Sequence, residues 1–390
     1  MLSVLSRARK SLGHLAICAA ALMLVACAPG AGPISNGPVT GDTVQVALLV
    51  PAGSGQASDE LLARSLQNAA RMAIADLGGA KIDLRVYNTA GQPAQAAAMA
   101  SQAVAEGAQI ILGPVFAQEA NAAGVAVAGS GVNVLAFSNN PDIAGNNVFV
   151  LGPTFENTAG RLASYAVRNG KSKIIIVSDR NTAGELGKQA IERGIAAAGG
   201  SVVATGNYEF SQNGVVSAAP AIAASAKSSG AQAVFLTADT AGALPLISQL
   251  LADNGLNSAS VQFIGLTRWD IPAATLSLPG VQGGWFALPD PALYAQYQAR
   301  YQAAFGEPPH PISGLAYDGI AAIGALMNTT KGGAVSKAGL TQGAGFVGVN
   351  GIFRLRSDGT NERGLAIAQI RGGQAVVVDA APRSFGGAGF

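Results

Sequence analysis

Histidine and cysteine, the side chains that most often carry nucleophilic or metal chemistry, are scarce here: two of each in 390 residues, at His14, His310, Cys18 and Cys27. His310 is the only histidine beyond the opening segment, in the run Glu307, Pro308, Pro309, His310, Pro311. A single histidine among prolines reads as a solvent-facing turn residue rather than a base. Without a second histidine or a spare thiol, a Cys/His dyad and a His-rich zinc site are excluded. No Gly-x-Ser-x-Gly elbow occurs. Gly343, Gly345 and Gly348 satisfy a dinucleotide fingerprint by letter, but no strand precedes them and a strand rather than a helix follows. Gly170, Lys171, Ser172 copies the end of a phosphate loop, yet the glycine required five residues earlier is Tyr165. Asp239 and Asp270 remain as an acid pair, with a structural or ligand-binding use expected. These residues can recognise a ligand; they offer no route to breaking bonds, and no cofactor or metal is implied.

Cys27 is the exception, because of what precedes it. Arg7, Arg9 and Lys10 form a basic start, and an apolar stretch over 15–26 follows, too short for a bilayer span of about 20 residues. Leu24, Val25, Ala26, Cys27 resembles the lipobox of bacterial lipoproteins. That resemblance implies a signal peptide over 1–26, loss of Cys18 with it, and a mature chain lipidated at Cys27 and lacking any free thiol or disulfide. Residues 27–42, rich in Gly, Pro and Ser, read as a flexible tether reaching roughly 20 Å. Ala28 and Pro29 follow the cysteine where an aspartate would resemble an inner-membrane retention signal, so the outer membrane is favoured.

Three of the 24 Lys and Arg lie in the leader, leaving 21 against 22 Asp and Glu; the pI of 8.5 is largely the leader's doing. With no basic run, nucleic acid is not an expected partner. The apolar fraction of 49% over more than one domain's length suits two cores, and 51 glycines suit tight strand-to-helix turns.

Those turns separate alternating patterns. Strands are expected at 44–50, 82–87, 110–112 and 132–136, interleaved with helices at 61–77, 93–106 and 118–128. A second series opens at Thr154, a helix N-cap: helix to 169, strand 173–178, helix 184–198, strand 201–208, helix 218–229, strand 233–237, helix 241–254, strand 261–265. Strand 285–288, helices 291–305 and 312–328, and strands 351–355, 365–371 and 375–379 complete the chain, with Ser357, Asp358, Gly359 turning the first two of these last strands into a hairpin. Such alternation gives parallel sheets covered by helices. Gly107, Ala108, Gln109 and Gly230, Ala231, Gln232 form a small internal echo, each between a helix and a strand.

In order and spacing, several segments resemble the type I periplasmic binding proteins of the Leu/Ile/Val-binding kind. They are Pro51, Ala52, Gly53, Ser54, Gly55 after the first strand; Leu112, Gly113, Pro114; Phe137, Ser138, Asn139, Asn140, Pro141; Ala316, Tyr317, Asp318, Gly319; and the hairpin from Phe346 to Gly359. The resemblance implies an α/β fold of two doubly wound parallel-sheet lobes joined by three crossovers. The expected domains are 43–153 plus 287–346 for the N-terminal lobe and 154–286 plus 347–380 for the C-terminal lobe, with a tail over 381–390. Ligand is then held between the lobes by strand-end loops, through Ser54, Phe116, Ala117, Ser138 and Asn139 on one side and Phe235, Thr267, Arg268 and Trp269 on the other. Where relatives place a serine hydroxyl for a ligand carboxylate, this chain has Ala117. Where they place an acid for a ligand ammonium, it has Thr267 and Arg268, which favours a carboxylate or phosphate. Trp269 is expected to stack on the ligand. The resemblance implies a small-molecule ligand and an ABC permease as partner. The same fold is similar to the C-terminal domain of penicillin-binding protein activators, lipoproteins that stimulate a peptidoglycan synthase by contact.

Overall fold

The computed structural model describes residues 43–78, 81–329 and 335–386. The expected signal peptide, Cys27 and the tether lie outside the described residues, as do 387–390 of the expected tail. The first series forms β1 (Thr43–Val50), α1 (Ala57–Asp76), β2 (Lys81–Asn88), α2 (Pro93–Ala105), β3 (Ile110–Leu112), α3 (Ala117–Val127), β4 (Asn133–Ala136) and β5 (Val148–Val150). All five strands are parallel, in the order β2-β1-β3-β4-β5. Strand residues alternate between two cores. Val46, Leu48 and Val50 face α1, whereas Ala47 and Leu49 face α2 and α3. A sheet buried on both faces loses its hydrophobic alternation, which is why these strands read as continuous apolar runs.

The second series is α4 (Phe155–Arg168), β6 (Lys173–Asp179), α5 (Thr182–Ala197), β7 (Ser201–Tyr208), α6 (Gln212–Ser228), β8 (Ala233–Leu236), α7 (Leu244–Asp253), β9 (Gln262–Gly265) and β10 (Trp285–Leu288). After α8 (Pro291–Phe305), α9 (Gly314–Thr329) and α10 (Lys337–Leu340) come β11 (Phe346–Gly348), β12 (Gly351–Leu355), β13 (Asn361–Arg363), β14 (Ala366–Arg371) and β15 (Gln374–Asp379). The second sheet runs β15-β14-β10-β9-β8-β6-β7; β14 and β15 join it antiparallel, so this lobe carries a mixed edge on its parallel core. Thr154 caps α4 as expected, in a reciprocal pair: its hydroxyl accepts from the Asn157 N–H, and the Asn157 side chain accepts from Thr154.

The internal echo has a structural counterpart. Gln109 N–H donates to the Gln45 carbonyl while its side chain accepts from the Gln45 N–H at 3.1 Å. Gln232 does the same to Lys173, at 3.0 Å for the side-chain bond. In both lobes one glutamine thus locks the entry of a central strand onto its neighbour.

Two expectations about the chain's end need correction. The hairpin turning at 357–359 pairs β12 with β13, not with the strand beginning near 365, which instead adds to the second sheet. The expected lobe boundaries at 286/287 and 346/347 also shift. All of β10 belongs to the second sheet, so the chain crosses after Leu288. Phe346, Phe353 and Leu355 of the small β11-β12-β13 sheet pack into the α1 core of the first lobe, so the last crossing comes after Arg363. The reason is charge as well as packing. Arg363 and Asp318, 5% and 0% exposed, form an ion pair at 3.1 Å that holds β13 to α9.

Removing one partner of such a pair strands the other charge in the core. Asp318→Ala should cost about 3–5 kcal/mol, read as a lowered urea midpoint with unchanged secondary structure at low denaturant.

Candidate functional site

In an open α/β sheet the carboxyl ends of the strands gather the loops and the leading N–H groups of the following helices, so ligands bind there. In the first lobe these loops follow β1, β3 and β4. Gly113, with φ +88°, is a position where a side chain has no room, since a Cβ there would strike the Leu49 carbonyl; it turns the chain off β3 towards Phe116. Phe116 stands 39% exposed ahead of α3, with no side-chain cap on that helix, and half-buried Ala117 begins it. Ser54 accepts from the Gln56 N–H and buried Ser138 from the Asn140 N–H, each at 3.1 Å, which leaves both hydroxyl protons free to donate; Asn139 is exposed. The structure therefore brings the five first-lobe residues to one end of the sheet, on adjoining loops.

The second lobe departs from expectation. Phe235 points into the core between the sheet and the α4 and α5 helices, fully buried, and offers no surface to a ligand. Trp269 is also fully buried, closed in by Gly265 and Gly284, where any Cβ would strike its indole. It is a core residue, not a stacking platform. Thr267 donates to the Ala238 carbonyl at 3.3 Å. Arg268 is in the interlobe region, but Asp270 holds its guanidinium in a two-pronged ion pair at 2.6 and 2.5 Å, so the cation expected to attract an anionic ligand is already compensated. Asp239 caps the turn before α7 through the Gly242 N–H, so Asp239 and Asp270 serve separate partners. His310 is half-buried rather than solvent-facing; its Nδ1 accepts from the Ile312 N–H at 3.4 Å, and burial lowers its pKa.

Two buried carboxylates at strand ends escaped the sequence reading. Asp179, closing β6, accepts a hydrogen bond from the Tyr208 hydroxyl; burial raises its pKa and that bond opposes the rise. Glu119, on the first turn of α3, has zero exposure. Burial raises its pKa first, with nearby Asp59 adding to the shift and Thr89 and the Phe116 amide opposing it. An aspartate ending an apolar strand was visible in the sequence; a glutamate on the buried side of an alanine-rich helix carries no such signal.

Two stacked α/β lobes joined by three crossovers, with the strand-end loops of each carrying the polar groups, define a ligand-binding protein of the two-lobe type. The chain matches, over residues 43–375, the family described as periplasmic binding protein, and it belongs to that family. Its fold is shared with a branched-chain amino acid ABC transporter periplasmic ligand-binding protein from Burkholderia xenovorans, at a TM-score of 0.70 and 18% identity, covering 87% of this chain and 96% of the other. An ABC transporter substrate-binding protein from Desulfitobacterium hafniense, in complex with leucine, gives 0.64 and 19%, covering 86% and 100%. A solute-binding protein from R. palustris in complex with benzoate gives 0.58 and 19%, covering 89% and 99%. No curated protein sequence matches.

Phe235→Ala should destabilise the chain by about 3–5 kcal/mol, as emptying a packed aromatic site does, and it should leave the affinity for any cleft ligand within about twofold once folding is allowed for. Glu119→Gln tests the buried charge. An acid whose folded pKa is raised binds protons more tightly folded than unfolded, so its contribution to stability falls as pH rises from the unfolded carboxylate range through the folded value. Glu119→Gln should therefore raise the unfolding midpoint at neutral pH, with the gain shrinking towards about pH 4, in thermal melts across that range.

Proposed function

We propose that this protein is a non-enzymatic, lipid-anchored binding protein of the periplasm that carries a small polar ligand, an amino acid, amide or related compound, to an ABC permease. The match of nearly the whole folded chain to the periplasmic binding protein family carries this reading. Relatives of the same fold hold leucine or benzoate. Where the sequence lacks a serine, at Ala117, the uncapped first turn of α3 supplies backbone N–H donors and the positive end of a helix dipole, a natural seat for a carboxylate or carbonyl oxygen. Ser138 and Asn139 add side-chain donors beside it. With Asp270 tied to Arg268, an ammonium has no free acid in the second lobe's last loop, which favours amides and acids over zwitterions.

The anchor rests on Cys27 and the lipobox before it. Ala28 and Pro29 support the outer membrane, and that placement is also what a peptidoglycan-synthase regulator of the same fold would need. Calorimetry with amino acids, amides, benzoate and muropeptides separates the two roles. Saturable binding that Ser138→Ala weakens about tenfold, the loss of one good hydrogen bond, supports transport. No binding to any of these, together with recovery of a peptidoglycan synthase on immobilised protein, would replace it with the regulatory reading. Cys27→Ser should abolish palmitate labelling and release the protein from membranes, and density-gradient separation of the wild type identifies the membrane that holds it.

A further inference from the structure

Residues 380–386 continue past β15, beyond the stretch 43–375 that matches the family. Their path joins the two lobes once more. At its root the Ala380 carbonyl accepts from Arg161 Nη2 at 3.3 Å, and Ala381 is buried in the second lobe's core. Arg161 also pairs with Asp379 at 2.9 Å, so the root is fastened to α4. Pro382 then packs on the third crossover, where a Cβ on Gly364 would stand 3.1 Å from the Pro382 carbonyl. Three residues further on, Phe385 sits on the first lobe's small sheet, against Gly345 and with its ring 4.5 Å from the Arg354 guanidinium.

That seat is shaped for a ring. Gly345, with φ +69°, has no space for a side chain, since a Cβ there would strike both Phe385 and the Phe353 carbonyl. Arg354 Nε donates to Glu362 at 2.8 Å and Nη1 to the Gly343 carbonyl at 3.4 Å, which holds the guanidinium in place beneath the ring. A cation within about 6 Å of an aromatic centroid is attracted to its face. Phe385 is half-buried, whereas Arg383 and Ser384 before it are exposed, so the segment spans between two attachments instead of packing along its length. One ring on one guanidinium is a slight hold beside the packing inside each lobe, so it is the contact that gives way when the lobes part.

We propose that residues 380–386 are a conformational strap, rooted in the second lobe and latched to the first by Phe385. Latched, it keeps the ligand-free protein near the lobe spacing of this structure; unlatched, it lets the lobes separate. The strap does not depend on the transport role.

A chain beginning at residue 27 and carrying Cys27→Ser has no cysteine left. Spin labels can then be attached to cysteines introduced at Val125 on α3 and Val202 on β7, exposed positions on opposite lobes, and their separation read by double electron–electron resonance. Phe385→Ala, and separately a chain ending at Pro382, should each move the main distance by more than about 2 Å or add a second population at least that far away, with unfolding still cooperative. Ser384→Ala, an exposed position on the strap, should leave the distance unchanged. The proposal is overturned by an unchanged distance in both Phe385→Ala and the shortened chain, or by an equal shift in Ser384→Ala. Loss of cooperative unfolding in both would also overturn it, because the segment would then belong to a core.

Discussion

Asp318 has none of its surface in water, and its carboxylate organises the point where the chain makes its last passage between lobes. One oxygen accepts from the Val349 N–H at 2.8 Å; the other accepts from the Asn350 side chain at 3.0 Å and from Arg363 at 3.1 Å. Gly348 makes room for this, since a Cβ there would collide with the carboxylate. Arg363 extends the network to the first crossover through the Leu151 carbonyl and lies over the Phe353 ring. Next to it, Asn361 donates to the carbonyls of Val150 and Gly152, and its own carbonyl accepts from Asn157. A buried pair of this kind contributes less to net stability than to specifying one arrangement. Here that arrangement is the stitching of the first and third crossovers, on which two discontinuous lobes depend.

The same economy of polar groups shapes the binding faces. In the second lobe the strand-end side chains are largely committed to internal partners: Arg268 to Asp270, Thr240 to the Ile271 carbonyl at 2.6 Å, Asp239 to the Gly242 N–H, and Tyr208 to Asp179. In the first lobe they remain more open, and Phe116 is left exposed. Recognition is therefore asymmetric, with directional hydrogen bonding concentrated on the first lobe. Phe210, 56% exposed beside Gly242, adds apolar surface on the second.

Most of the α/β alternation was legible in the sequence, because both faces of each sheet are buried and the strands stand out as apolar runs between glycines. Thr154 and the paired glutamines were legible for a sharper reason: each meets a local hydrogen-bonding need that a side chain of fixed length satisfies in one way. The failures share a cause. Val234 and Leu236 face one core while Ala233 and Phe235 face the other, so nothing along β8 distinguishes a core aromatic from a ligand-facing one. Trp269 is buried because Gly265, at the end of β9, and Gly284, just ahead of β10, leave space for it, and such a pairing exists only after folding. The misplaced lobe boundaries arose because β11, β12 and β13 form a small sheet packed on the first lobe before β14 returns to the second, and turn chemistry fixes a hairpin's tip without saying which strand it returns to.

The crossovers also constrain how the lobes can shift. Any change in their spacing must be absorbed near residues 151–154, 289–290 and 364–365. Pro153 and Pro289 each hold φ near its ring-set value, and Gly364 is pinned by its N–H to the Ile352 carbonyl at 2.9 Å. Arg161 adds a clasp, donating to the Leu365 carbonyl at 2.8 Å. With no single free joint, a change of spacing has to be distributed as small dihedral changes over three short connections, the pattern of rigid lobes moving as bodies.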